Sequence, residues 1–110
     1  MHVSTDARKA QNEVWFRELN ERLEARALER DGDEVQFEIV CECSREECTE
    51  RIRVAYGTYE HVRQHPTYFI LLSGHRDPSI ERVLSVHHGY EIVEKVGLSA
   101  TVANAEDPRA

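Results

Sequence analysis

Proline and glycine are scarce in this chain, three and five residues of 110, and hydrophobic residues make up 40% and charged residues 32%. That balance excludes a disordered, low-complexity polypeptide, and no internal repeat is visible. No apolar run approaches the roughly 18 residues needed to cross a bilayer. The opening residues, Met1-His2-Val3-Ser4-Thr5-Asp6, lack the basic segment and apolar stretch of a secretory leader. The expectation is a cytoplasmic protein with no membrane association.

Basic residues are also in short supply: 14 Lys plus Arg stand against 21 Asp plus Glu, a formal net charge of −7. Affinity for nucleic acid comes chiefly from clustered basic side chains that displace counterions, and here bases and acids are interleaved, so nucleic acid is disfavoured as a partner. Arg51, Arg53, Arg63, Arg76 and Arg82 remain as material for a local patch.

The most informative scarcity is cysteine. There are three, an odd number, all within Cys41-Glu42-Cys43-Ser44-Arg45-Glu46-Glu47-Cys48. An odd count does not make a disulfide framework, and disulfides are uncommon in the cytoplasm. Cys41 and Cys43, as alternate residues of a strand, cannot bridge each other without strain. What is left is a C-x-C-x4-C cluster with the density of a metal site.

What is present reads as one α+β domain over residues 1–96, with a core burying on the order of 65% of the unfolded chain's surface. Residues 97–110, polar and alanine-rich, read as a flexible tail. From Thr5 to Arg30 the spacing of Val14, Phe16, Leu19, Leu23 and Ala27 predicts a long amphipathic helix. Glu13 with Arg17 and Glu18 with Arg22 form i, i+4 pairs, each worth about 0.2–0.5 kcal/mol on an exposed face. Trp15 sits beside the apolar stripe, either covering the core's edge or anchoring a protein partner or a homodimer.

Asp31-Gly32-Asp33 ends that helix. Val35, Phe37 and Ile39 then alternate with Gln36 and Glu38 as in a half-buried strand, and the same parity places Cys41 and Cys43 on the buried face. Ser44 to Glu47 has the form of a capping box, predicting a helical turn that returns Cys48 toward the strand end. Ile52 and Val54 face inward on a return strand, making the cysteines the tip of a hairpin.

Thr58 is placed to cap a short helix ending before Pro66. Tyr68 to Leu72, a continuous apolar run, reads as a central strand buried on both faces and delivers Gly74 and His75 at its end. Residues 79–88 fit a helix or a strand equally. Tyr90 to Val96 reads as the last strand, with Tyr90, Ile92 or Val93, and Val96 in the core. The architecture expected is a long N-terminal helix packed on a small, mainly antiparallel sheet.

Zinc is the cofactor this cluster predicts, since thiolates bind it tightly and four tetrahedral ligands satisfy it. Three ligands are Cys41, Cys43 and Cys48. The fourth is assigned to His75, at the end of the central strand, with His61, His65, His87, His88, Glu42 and water as competing donors. The plainer alternative treats Cys41 and Cys43 as small buried hydrophobes, and it leaves Cys48 unexplained. His61 and His65 share a helix face but lack the glutamate of H-E-x-x-H. His87 and His88 read as a turn, and Glu60, Glu81 and Glu91 as surface charges.

Phe37 to Cys43, Cys48, Tyr59-Glu60-His61-Val62-Arg63, Phe69, Gly74-His75, Pro78, Glu81-Arg82-Val83 and Tyr90 to Lys95 together resemble a set of small bacterial proteins. These carry a C-x-C motif, a later G-H and a final V-E-K. The resemblance covers roughly residues 12–96 and implies that Cys41, Cys43, Cys48 and His75 act as one unit; it carries no established activity. In spacing alone, C-x-C-x4-C is similar to the zinc-binding post-SET segment of lysine methyltransferases. Three function classes follow: a zinc-stabilised binding or regulatory module with a protein partner, a zinc hydrolase with an open metal position and Glu42 or Glu47 as base, and a thiol-based redox or metal sensor.

Overall fold

The computed structural model describes residues 5–31, 36–43, 45 and 48–109, giving the backbone alone for 5–10 and 31. The elements are α1 (Thr5–Asp31), β1 (Gln36–Val40), β2 (Arg51–Ala55), α2 (Tyr56–Arg63), β3 (Tyr68–Leu72), β4 (Glu81–His87), β5 (Tyr90–Lys95) and α3 (Gly97–Ala105). The expected helix stop at Gly32 and Asp33, the strand start at Val35 and the capping pair Ser44 and Glu47 lie outside the described residues. The fold is α+β, a long helix with two small antiparallel sheets. No helix among the described residues is long and apolar enough to cross a membrane.

Period-two patterning sets the first sheet. β1 and β2 pair antiparallel with Phe37 opposite Val54 and Ile39 opposite Ile52, all four buried, while Gln36, Glu38, Arg51 and Arg53 face outward. The second sheet runs β3-β5-β4. Phe69, Ile70 and Leu71 are buried as their continuous apolar run requires, yet β3 stands at the edge of its sheet and β5 at the centre. Just beyond β1, the Glu42 N–H donates to the Ile70 carbonyl at 3.0 Å, and Glu42 Oε1 accepts from the Ile70 N–H at 2.9 Å. One residue thus supplies both partners a neighbouring strand would give Ile70, and so links the two sheets.

The helix α1 performs the same service for β1. Asn20 Oδ1 accepts from the Val40 N–H at 2.7 Å, and Asn20 Nδ2 donates to the Val40 carbonyl at 2.8 Å and to Glu42 Oε2 at 2.8 Å. Val14, Phe16 and Ala27 are buried as their spacing predicts, but Glu13, Arg17, Asn20 and Glu24 are buried beside them. Glu13 and Arg17 are therefore not a surface pair. Arg17 donates to the carbonyls of Pro66 and Tyr68 and lies 3.6 Å above the Phe69 ring. Lys95 reaches Glu13 and Glu81 in a fully buried triad and approaches the same ring at 4.7 Å.

Other expectations change here too. Glu81 is a core residue, because Lys95 offsets its charge there. Val96 is 39% exposed and Lys95 takes the inward position. Residues 97–105 form helix α3 instead of a frayed tail, with Ser99 and Ala103 buried. Its packing on α1 continues into Asp107, paired with Arg63 at 2.6 Å, and Arg109, paired with Glu21, Glu24 and Glu60. The ambiguous segment resolves as strand β4, and α2 begins directly after Ala55 with no side-chain cap from Thr58.

Candidate metal centre

Three segments converge beyond the ends of the strands. The parity of β1 carries into Cys41 and Cys43, which are fully buried. The Cys41 N–H still bonds to the Glu50 carbonyl at 2.9 Å, so the β1–β2 ladder runs one pair past the strand end and fixes that sulfur. The chain then turns back, the Cys48 N–H donating to the Arg45 carbonyl at 3.1 Å, and Cys48 is buried as well. His75 comes from the other sheet. Gly74, at φ 86°, makes the left-handed turn after β3, and the His75 N–H closes on the Leu72 carbonyl at 3.0 Å.

The result is a compact Cys3His group in which one donor atom from each of Cys41, Cys43, Cys48 and His75 lies within 4.8 Å of all the others. His75 Nδ1 is 3.7 Å from Cys41 Sγ and 3.5 Å from Cys48 Sγ. For ordinary zinc–sulfur and zinc–nitrogen bonds, the sulfur-to-nitrogen edge of a tetrahedron is about 3.6 Å. The two histidine-to-sulfur distances match that edge, and the group as a whole is compact enough to hold a metal ion.

The electrostatics suit a cation as well. The Leu72 N–H donates to Cys41 Sγ at 3.1 Å, and the backbone amides of Arg45 and Glu50 act to lower the pKa of Cys43 and Cys48. Donors of this kind favour thiolates. Left to itself the cluster cannot ionise fully. Cys41, hydrogen-bonded to Cys43 and buried, holds its proton far above the usual range, while the same bond pushes Cys43 down to about 5. Burial raises Cys48. A divalent cation would take the place of the shared protons and make all three sulfurs thiolates, which is the usual chemistry of such sites.

The competing donors are placed elsewhere. The Glu42 carboxylate is spent on Asn20 and the Ile70 N–H, and burial raises its pKa, so it is neither ligand nor base for this cluster. Glu47 lies outside the described residues. His65 stacks on Tyr68 at 4.2 Å and His61 meets the His65 ring edge-on at 6.4 Å. His87 stacks on Tyr90 and pairs with Ser85. Among the described residues, Cys41, Cys43, Cys48 and His75 are the one group of His, Cys, Asp or Glu side chains close enough to hold an ion.

Sequence reasoning missed the polar residues that hold the site's scaffold together. Glu13, Arg17, Asn20 and Glu24 recur at helical spacing beside the apolar stripe, and that polar stripe was the available signal. Asn20 and Glu42 lock the segment from which Cys41 and Cys43 project. Compared with family models, with curated proteins and with solved structures, the chain matches none.

Proposed function

We propose that the protein is a zinc-stabilised binding or regulatory module whose metal is structural. The observation that carries this reading is the compact Cys3His group: four protein donors, three of them on buried residues, all within 4.8 Å of one another. A fourth protein ligand leaves no position for substrate or activated water, which separates structural from catalytic zinc. Three thiolates favour zinc over hard cations, and zinc keeps them redox-silent in a reducing compartment. The ion would pin the hairpin tip to the end of β3, stapling the two sheets.

The working surface then lies away from the metal. Trp15 is 61% exposed on α1, flanked by Glu18, Leu19 and Arg22, and supports a protein partner or a second copy as the occupant, since exposed tryptophan is a frequent interface anchor. The resemblance to small bacterial proteins with the same C-x-C and G-H residues fits this reading and adds no activity to it.

Cobalt substitution tests the closed site. A structural centre gives the intense visible absorption of four-coordinate cobalt, unaffected by added azide or other small anions. A weak spectrum, or one that shifts on adding such anions, marks an open position and returns the hydrolase class.

A further inference from the structure

Four arginines line one groove between α1 and the β1–β2 hairpin. The groove measures about 430 Å³ and includes Arg26 and Arg30 from the helix and Arg51 and Arg53 from β2. Arg26 and Arg30 are one helical turn apart, roughly 5–6 Å at the Cβ atoms. Arg51 and Arg53 are alternate residues on the outward face of a strand, roughly 7 Å apart. Both pairs line the same groove, with Gln36 and Glu38 of β1 in its lining as well. Arg17, Arg63, Arg82 and Arg109 are occupied in internal hydrogen bonds and ion pairs. Arg26, Arg51 and Arg53 have no such partner among the described residues; Arg30 is engaged within the fold. The one carboxylate in the groove, Glu38, stands opposite Arg53 across the β1–β2 pair.

We propose that this groove binds a compact oligophosphate, such as a di- or triphosphate group, held by Arg26 on the helix and by Arg51 and Arg53 on β2. Guanidinium groups pair with phosphate through parallel charge-assisted hydrogen bonds, and several of them lining one groove let neighbouring phosphates be held together. A compact anion is favoured over a nucleic acid strand for two reasons. The chain carries a formal net charge of −7, so a polyanion extending beyond the groove meets repulsion. The apolar lining residues, Leu23, Ala27 and the buried Phe37, offer no exposed ring on which bases could stack. The proposal is independent of the metal assignment, since no metal-site residue lines the groove.

Calorimetric titration of the metal-loaded full chain with inorganic tripolyphosphate, a nucleoside triphosphate and a single-stranded oligonucleotide tests it. One equivalent of tripolyphosphate is expected to bind, with the nucleoside triphosphate at similar affinity and the oligonucleotide weaker, and binding should weaken as salt rises. The R51Q/R53Q variant and R26Q should each lower tripolyphosphate affinity by about ten-fold or more with metal content unchanged. R22Q, outside the groove, should bind as wild type. No binding of tripolyphosphate would overturn the proposal, and so would affinity indifferent to R51Q/R53Q. Tighter binding of the oligonucleotide would assign the groove to nucleic acid instead, and a strong preference for the nucleoside triphosphate would show base recognition that the groove walls do not provide.

Discussion

His75 Nδ1 lies 3.5 Å from Cys48 Sγ although the two residues are 27 positions apart, one in the connection between β1 and β2 and the other in the turn after β3. The contact closes a loop between the hairpin tip and the turn after β3. If an ion sits there, His75→Ala should weaken metal retention by more than the roughly 10–100-fold that losing an outer-shell partner costs. His75→Cys should recover much of it, since four cysteines also make a zinc site. Competition against a chromogenic chelator measures both. Equal retention in wild type and His75→Ala would remove the histidine from the site.

Asn20 stands in for a missing strand beside Val40, and its amide also serves Glu42. Asn20→Ala leaves a buried N–H, a buried carbonyl and a carboxylate oxygen short of partners, a loss of about 2–4 kcal/mol. Urea unfolding at saturating metal reads it. Asn20→Asp is expected to be as damaging, because it keeps an acceptor for the Val40 N–H and places a second carboxylate against Glu42.

The Glu13–Lys95–Glu81 triad is buried on all sides. Removing only the ammonium, in Lys95→Met, strands two carboxylates in the core and should destabilise by about 3–5 kcal/mol. The triple variant E13Q/E81Q/K95M should lie closer to wild type than Lys95→Met does, since no charge is then left uncompensated. Denaturation midpoints compare them, and a triple variant less stable than the single would contradict this account of the triad.

Glu24 gives the fold a pH dependence. Burial and a proton shared with Glu60 raise it to about 8 from the 4.5 of an exposed side chain, despite its contact with Arg109. Between those values the folded chain holds a proton that the unfolded chain has released, so this contribution to stability is lost as pH rises toward about 8. Arg109 holds Glu60 down, and Arg109 with Arg63 holds Glu21 down against the cost of burial. Their contributions vanish only as pH falls through the acid range. Glu24→Gln, which fixes the neutral form, should flatten the decline between about pH 5 and pH 8. Urea midpoints across that range, compared between wild type and variant, measure it, and parallel pH profiles would contradict the assignment.

The parts of the fold that keep a strict period were legible in the sequence. Phe37, Ile39, Cys41 and Cys43 alternate without interruption, so the hairpin and the burial of its cysteines followed from parity, and Gly74 marked the turn that aims His75. β4 was not legible because its parity breaks: a bulge between Val83 and Ser85 inserts an extra residue and leaves Leu84 and Val86 exposed. Just before β4, Asp77 makes a local turn, its side chain accepting from the Ser79 N–H and hydroxyl. Lys95 was missed for a different reason. A lysine is inward only when paired, and its partners lie 82 and 14 positions away, a relationship that no local pattern encodes.

The central claim is a structural zinc in the Cys3His group, and metal analysis of the chain purified without a histidine tag tests it most directly. Elemental and native mass spectrometry should find about one zinc per chain, absent from Cys43→Ser, with chelation lowering the unfolding temperature of wild type alone. A metal-free wild-type protein whose unfolding neither zinc nor chelator shifts would contradict it.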